Sequence, residues 1–245
     1  MNLLEVQGLR KTYPAFRLED VSFSVPEGAV MGLIGRNGAG KSTTLKSILG
    51  LVHPDAGRVE MFGREFSENE RYIKENIGVV LGGIDFYPKK KVRTITDVTR
   101  RFYSNWQEEK YRHYLYLFAI DENKRVDQLS SGMRVKYLLA LALSHNARLL
   151  ILDEPTSGLD PVSRDELTEL LRRIAADGTR SVLFSTHITS DLEKCASHIT
   201  FIQEGRLQRS DTLAGFMAHY ADLGSTLEEI IVAAERRPYD ADAII

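Results

Sequence analysis

Ala29-Val30-Met31-Gly32-Leu33-Ile34-Gly35-Arg36-Asn37-Gly38-Ala39-Gly40-Lys41-Ser42-Thr43 is the stretch on which the reading of this chain turns. Ala29 to Ile34 is almost continuously apolar, the mark of a parallel strand covered on both faces. Gly35 to Ser42 then fits GxxxxGK[ST], between that strand and a helix expected over Lys41 to Leu49. In such a frame the glycines let backbone N–H groups wrap phosphate oxygens, and the helix N-terminus adds a favourable dipole. Lys41 can reach the β and γ phosphates and the Ser42 hydroxyl can ligate magnesium. Nucleotide contacts are therefore assigned to Gly35, Arg36, Asn37, Gly38, Ala39, Gly40, Lys41, Ser42 and Thr43.

Working outward, Val21, Phe23 and Val25 alternate with Ser22 and Ser24 ahead of the turn Pro26-Glu27-Gly28, an antiparallel pattern with one buried face. Downstream, the turn at Pro54 to Gly57 feeds a strand at Arg58 to Phe62. Ser67 and Glu70 have capping-box spacing for a helix ending near Asn76, and Ile77 to Leu81 reads as another buried strand. Thr96 to Asn146 turns helical. The strands Leu149 to Leu152, Ser181 to Phe184 and His198 to Ile202 then alternate with helices at Arg164 to Ala176 and around Leu192. That alternation predicts a parallel α/β sheet. Ser210 to Arg237 reads as two further helices.

The strand Leu149 to Leu152 runs into Asp153 and Glu154, which puts two carboxylates at the C-terminal edge of the sheet, where open α/β folds bind ligands. Asp153 would join Ser42 in serving the magnesium, and Glu154 would polarise the attacking water. An acidic cap ahead of Pro155 would account for one of these acids, less well for both.

Leu129-Ser130-Ser131-Gly132-Met133 narrows the choice among nucleotide hydrolases. Here the chain resembles an ABC ATPase, the nucleotide-binding subunit of an ABC transporter of the drug- and peptide-exporter type. That family's LSGGQ signature reads LSSGM in this sequence. The resemblance runs from about Leu3 to Arg209. It implies a P-loop NTPase with a RecA-like parallel sheet core, an N-terminal antiparallel β subdomain and an α-helical signature subdomain. The ATPase domain would span residues 1–209, with the helical part inserted at about 84–146, and residues 210–245 would form a short helical extension. It further implies that Tyr13 stacks on adenine, that Ser130 and Gly132 contact the γ-phosphate of a second subunit's ATP, and that Asp160, in Ser157-Gly158-Leu159-Asp160, crosses the dimer interface. His187, after Val182-Leu183-Phe184, matches the switch histidine, which would act with Glu154 and Lys41 in catalysis. Unaided, each of these would read as a packing aromatic, a helix cap, a turn or a structural histidine.

One element departs from the family pattern. After Ile77 to Leu81 the family supplies a glutamine, whereas this chain has Gly82-Gly83-Ile84-Asp85. Asp85 is the nearest acid, either an outer-sphere ligand substituting at the metal or a solvated loop residue. The insertion carries Phe86, Tyr87, Phe102, Tyr103, Trp106, Tyr111, Tyr114, Tyr116 and Phe118, which suit a small helical core and, at exposed positions, a docking face.

The 245 residues carry a net charge of -2, so no global field gathers nucleic acid, and none is expected as a partner. The single cysteine, Cys195, fits a reducing compartment. With no apolar run of about 18 residues to span a bilayer, the resemblance implies a peripheral protein at the cytoplasmic face of the membrane. Its cofactors would be ATP and Mg2+, and its partners a second ABC ATPase subunit, self or paralogue, and a separate membrane-spanning permease. The competing reading is a soluble ABC ATPase acting on ribosome, DNA or another protein.

Overall fold

Leu4, Val6 and Leu9 in β1 (Asn2–Tyr13) and Val21, Phe23 and Val25 in β2 (Phe16–Pro26) point to one side, and pairing Leu4 with Val25 and Val6 with Phe23 buries them together. The structure is a computed structural model that describes residues 1–81 and 87–236. All five residues of β3 (Val30–Ile34) are buried, as a central parallel strand requires. After α1 (Lys41–Ile48), β4 (Ala56–Met61) joins the free side of β1, and β5 (Arg64–Glu65) extends that antiparallel edge.

α2 (Phe66–Asn76) leads to β6 (Ile77–Leu81). The helical insertion comprises α3 (Val92–Thr99), α4 (Glu108–Leu117) and α5 (Ser131–Ser144). β7 (Leu149–Asp153), α6 (Pro161–Ala175), β8 (Ser181–Thr186), α7 (Thr189–Cys195) and β9 (His198–Gln203) complete the parallel part. β10 (Arg206–Thr212) then returns antiparallel to β9 and meets β2 where Arg206 lies opposite Glu19. One ten-stranded sheet results, in the order β5-β4-β1-β2-β10-β9-β3-β8-β7-β6.

Register decides where the chemistry sits. Leu81 lies opposite Asp153, Asp153 opposite Ser185, and Ile34 opposite Thr186. The residues that follow β3, β7 and β8 therefore emerge at one sheet edge.

Two local expectations are corrected. The helix predicted from Ser210 begins at Leu213 as α8 (Leu213–His219), because Glu204 and Gly205, with φ of 50° and 78°, turn the chain back as a hairpin. Across that hairpin the hydroxyls of Thr200 and Ser210 meet at 2.9 Å. The capping box of Ser67 and Glu70 does not form: Ser67 donates to Glu65 at 2.9 Å, Glu70 pairs with Lys74, and the helix starts at Phe66. Arg209 lies inside β10. Phe216 of α8 and Leu227 and Ile230 of α9 (Leu227–Glu235) pack with Leu192 of α7, so the described part of the C-terminal extension shares the main core. The insertion aromatics that fall on described residues divide between a small helical core and the surface. Tyr111 and Tyr137 are buried, and their hydroxyls lie 2.7 and 2.9 Å from Thr96 Oγ1, while Phe102 and Tyr116 are exposed.

His145, 2% exposed at the end of α5, stacks on Tyr103 with ring centroids 3.7 Å apart. Burial pushes its pKa down from 6.5 to about 4. The unfolded chain then binds the proton more readily, so this neutral imidazole contributes stability fully above pH 6.5 and loses it as pH falls toward 4. The loss is on the order of 3 kcal/mol. Denaturant melts from pH 7 to 4.5 should show it, and His145→Phe, which keeps the stack, should flatten that part of the profile. An equal acid loss in the variant would assign the effect elsewhere.

Candidate functional site

At the C-terminal end of β3 the chain must turn tightly past β9. A Cβ on Gly35 would lie 2.2 Å from the carbonyl oxygen of Ile202, so only glycine fits. Gly40, the N-cap of α1, has φ of 114°, and a side chain there would also meet the Phe16 ring at 2.9 Å. Between them the loop curls so that Lys41, 5% exposed, turns its Nζ back to donate to the carbonyls of Gly35 at 2.8 Å and Arg36 at 3.3 Å. The same ammonium lies 3.4 Å from Glu154 Oε1.

Ser42 donates to Asp153 Oδ1 at 3.2 Å, across from β7. A hydroxyl and a carboxylate are a hard, oxygen-only donor pair, the chemistry that would suit a magnesium ion. The same Asp153 oxygen accepts the Ser185 hydroxyl at 2.5 Å. Ser185 in turn holds the next residue: the Glu154 amide donates to Ser185 Oγ at 2.9 Å and to Ser185 O at 3.2 Å. Glu154 has φ of 50°, a left-handed conformation costly for a residue with a side chain, and these two bonds secure it. Its carboxylate is thereby delivered between Lys41 and His187, whose Nδ1 lies 2.8 Å from Oε2.

Ser185 is a site residue that sequence reasoning missed. Its signal was a small hydroxyl ending the buried run Val182-Leu183-Phe184, two residues before His187. Phe16 was missed as well. It lines the 600 Å³ cleft formed with Asn37, Lys41, Ser42, Glu154 and His187. Tyr13, 39% exposed, lies instead in a shallow neighbouring depression that shares Ala15 and Phe16 with that cleft. Asn37, Gly38, Gly40 and Thr43 line the cleft, while Ala39 is buried behind it and lines an adjoining hollow.

Ser130, Gly132 and Asp160 are grouped elsewhere and do not line the cleft. Ser130 caps α5 by accepting the Met133 amide at 3.2 Å. Asp160 caps α6 by accepting the amides of Val162 and Ser163 at 3.0 Å, and its bonds from Ser163 hold its pKa below the usual carboxylate range. A Cβ on Gly132 would meet Ser163 at 3.3 Å, so the starts of α5 and α6 approach closely. Gly82, Gly83 and Asp85 lie outside the described residues. Among the described residues, no helix is long and apolar enough to cross a membrane.

The chain is similar to known proteins over most of its length. The family model described as ABC transporter matches residues 18–157. The bacitracin transport ATP-binding protein BcrA of Bacillus licheniformis is 32% identical over 208 residues, covering 84% of this chain and 68% of that protein. The Nod factor export ATP-binding protein I of Burkholderia orbicola is 39% identical over 191 residues, covering 76% of this chain and 62% of its own length. The chain thus spans only part of those relatives. A solved structure of the ATP-binding subunit of an ABC transporter superposes with a TM-score of 0.84 at 28% identity, covering 96% of this chain and all of that one. A dimeric ATP-binding cassette in a post-hydrolysis state with ADP and phosphate has a TM-score of 0.75 at 21% identity, covering 86% of this chain and 98% of its own, a likeness of fold.

Proposed function

The chain belongs to the ABC transporter ATP-binding family, and from that premise we propose that it hydrolyses ATP as half of a dimer to drive export through a separate membrane-spanning subunit. The observation that carries the reading is the Glu154 carboxylate held between Lys41 and His187 on a main chain pinned by Ser185. In this reading Glu154 orients and polarises the attacking water. Lys41 swings from the loop carbonyls to the β and γ phosphates, and His187 stabilises charge on the transferring phosphoryl group. The loop amides from Gly38 to Thr43 cradle the phosphates, and Phe16 or Tyr13 offers the adenine an aromatic face. Ser42 and Asp153 would hold a magnesium ion, which would neutralise phosphate charge.

Because Ser130, Gly132 and Asp160 lie away from the cleft, one chain presents only half of a site. A second copy or a paralogue would complete it by placing the Ser130 helix end against the γ-phosphate. The bacitracin-transport and Nod-factor-export names of relatives support an exporter, and with it a place for this chain at the cytoplasmic face of the membrane. Affinity purification from detergent-solubilised membranes tests this: a polytopic membrane protein should copurify in stoichiometric amount, with ATPase activity. Ribosomes or a soluble enzyme in its place would favour the non-transport alternative.

A further inference from the structure

A carboxylate that the chemistry above does not use reaches the phosphate loop from α9. Glu235, 9% exposed, accepts the Arg36 amide N–H on Oε1 at 3.1 Å, while Oε2 lies 3.5 Å from the Arg36 guanidinium. Arg36 Nη1 donates to the Glu235 carbonyl at 3.5 Å, and Gln203 donates to the Ala234 carbonyl at 3.0 Å. The end of α9 is thus fastened to the first turn of the nucleotide loop and to β9. It stands over a hollow of 1010 Å³ that shares Phe16, Arg36, Asn37 and Gly38 with the nucleotide cleft.

We propose that Glu235 is a determinant of nucleotide affinity: its carboxylate sets negative charge against the first turn of the phosphate loop and holds Arg36 to α9, lowers affinity for ATP, and is loosened when ATP binds. The inference rests on reading the Gly35 to Ser42 loop as the ATP site. Burial raises the pKa of Glu235, as does the charge of Glu204 to a smaller extent, while the Arg36 amide and the positive field of Arg36 and Lys41 act against that rise. A bound triphosphate puts several negative charges into that field. Two anions brought into one partly dry, positively charged site repel, and each weakens the other by the same factor. Arg36 is the physical link, since its backbone belongs to the loop and its side chain to the α9 contact.

Glu235→Gln separates charge from shape, because the amide oxygen can still accept the Arg36 N–H. A fluorescent ATP analogue, displaced by unlabelled ATP with magnesium, should bind about threefold to tenfold more tightly to Glu235→Gln than to the parent. A tether that merely shapes the loop would leave the Gln variant unchanged and weaken Glu235→Ala. Unchanged or weaker binding by the Gln variant therefore overturns the inference. Hydrogen exchange gives a second reading from the parent chain alone, whatever the variants' stability. Amides at the end of α9 should exchange faster with nucleotide than without, and equal or slower exchange overturns the proposal. Failure of the parent to bind the analogue at all would overturn the ATP-site reading itself, a distinguishable result.

Discussion

Glu154→Gln is expected to cut ATP turnover by roughly 100-fold or more, the loss typical when a general base is removed, while ATP still binds. The substitution keeps the shape of the side chain but leaves no carboxylate to polarise water. Its environment explains why binding should survive. The left-handed main chain at this position is held by Ser185 through backbone bonds that do not involve the carboxylate, so the loop geometry does not depend on the side chain that changes. Removing the negative charge 3.4 Å from Lys41 also frees that ammonium for the phosphates. With hydrolysis blocked, the ATP-bound dimer should accumulate. Light scattering at saturating ATP should then show the mass doubling relative to the nucleotide-free variant. A persistent monomer, or turnover near that of the parent, would remove Glu154 from the proposed role.

Lys41→Ala should act earlier, on binding, and weaken ATP affinity by about two orders of magnitude, or ~3 kcal/mol. The side chain is buried, and its loss leaves the carbonyls of Gly35 and Arg36 and the Glu154 carboxylate without their shared cation. A chain carrying Lys41→Ala should be inactive by itself, as should one carrying Ser130→Ala at the other half-site. Mixed, they should regain turnover, because the heterodimer joins an intact loop to an intact α5 start. Calorimetry reads the affinity and a phosphate-release assay the recovery. Silence in a mixture shown to contain heterodimers would contradict a site built from two chains.

The gain expected for Glu235→Gln is smaller and opposite in sign, which makes it a useful internal contrast. Both Lys41 and Glu235 are buried charges at the same loop, one supplying the field a phosphate needs and the other occupying it.

Local pattern by itself determined the strand, loop and helix around Gly35 to Ser42, because apolar run, glycine spacing and helix start are properties of neighbours in the chain. It also determined that Asp153 and Glu154 follow a buried apolar run, and that a helix covers Arg164 to Ala175, although the structure starts it at Pro161 with Asp160 as cap. The tertiary structure alone decided what depends on register and on crossings between distant segments. Ser210 to Thr212 read as the start of a helix until a hairpin lays β10 along β9. Ser185 looks like any strand-end hydroxyl until the pairing of β7 with β8 sets it against Asp153 and under Glu154. Phe16, rather than Tyr13, borders the cleft because the turn between β1 and β2 carries it there against Gly40. Glu235 sits about 200 residues in sequence from the loop it touches, a separation no periodicity can bridge, and only the packing of α9 on the common core brings that charge to Arg36.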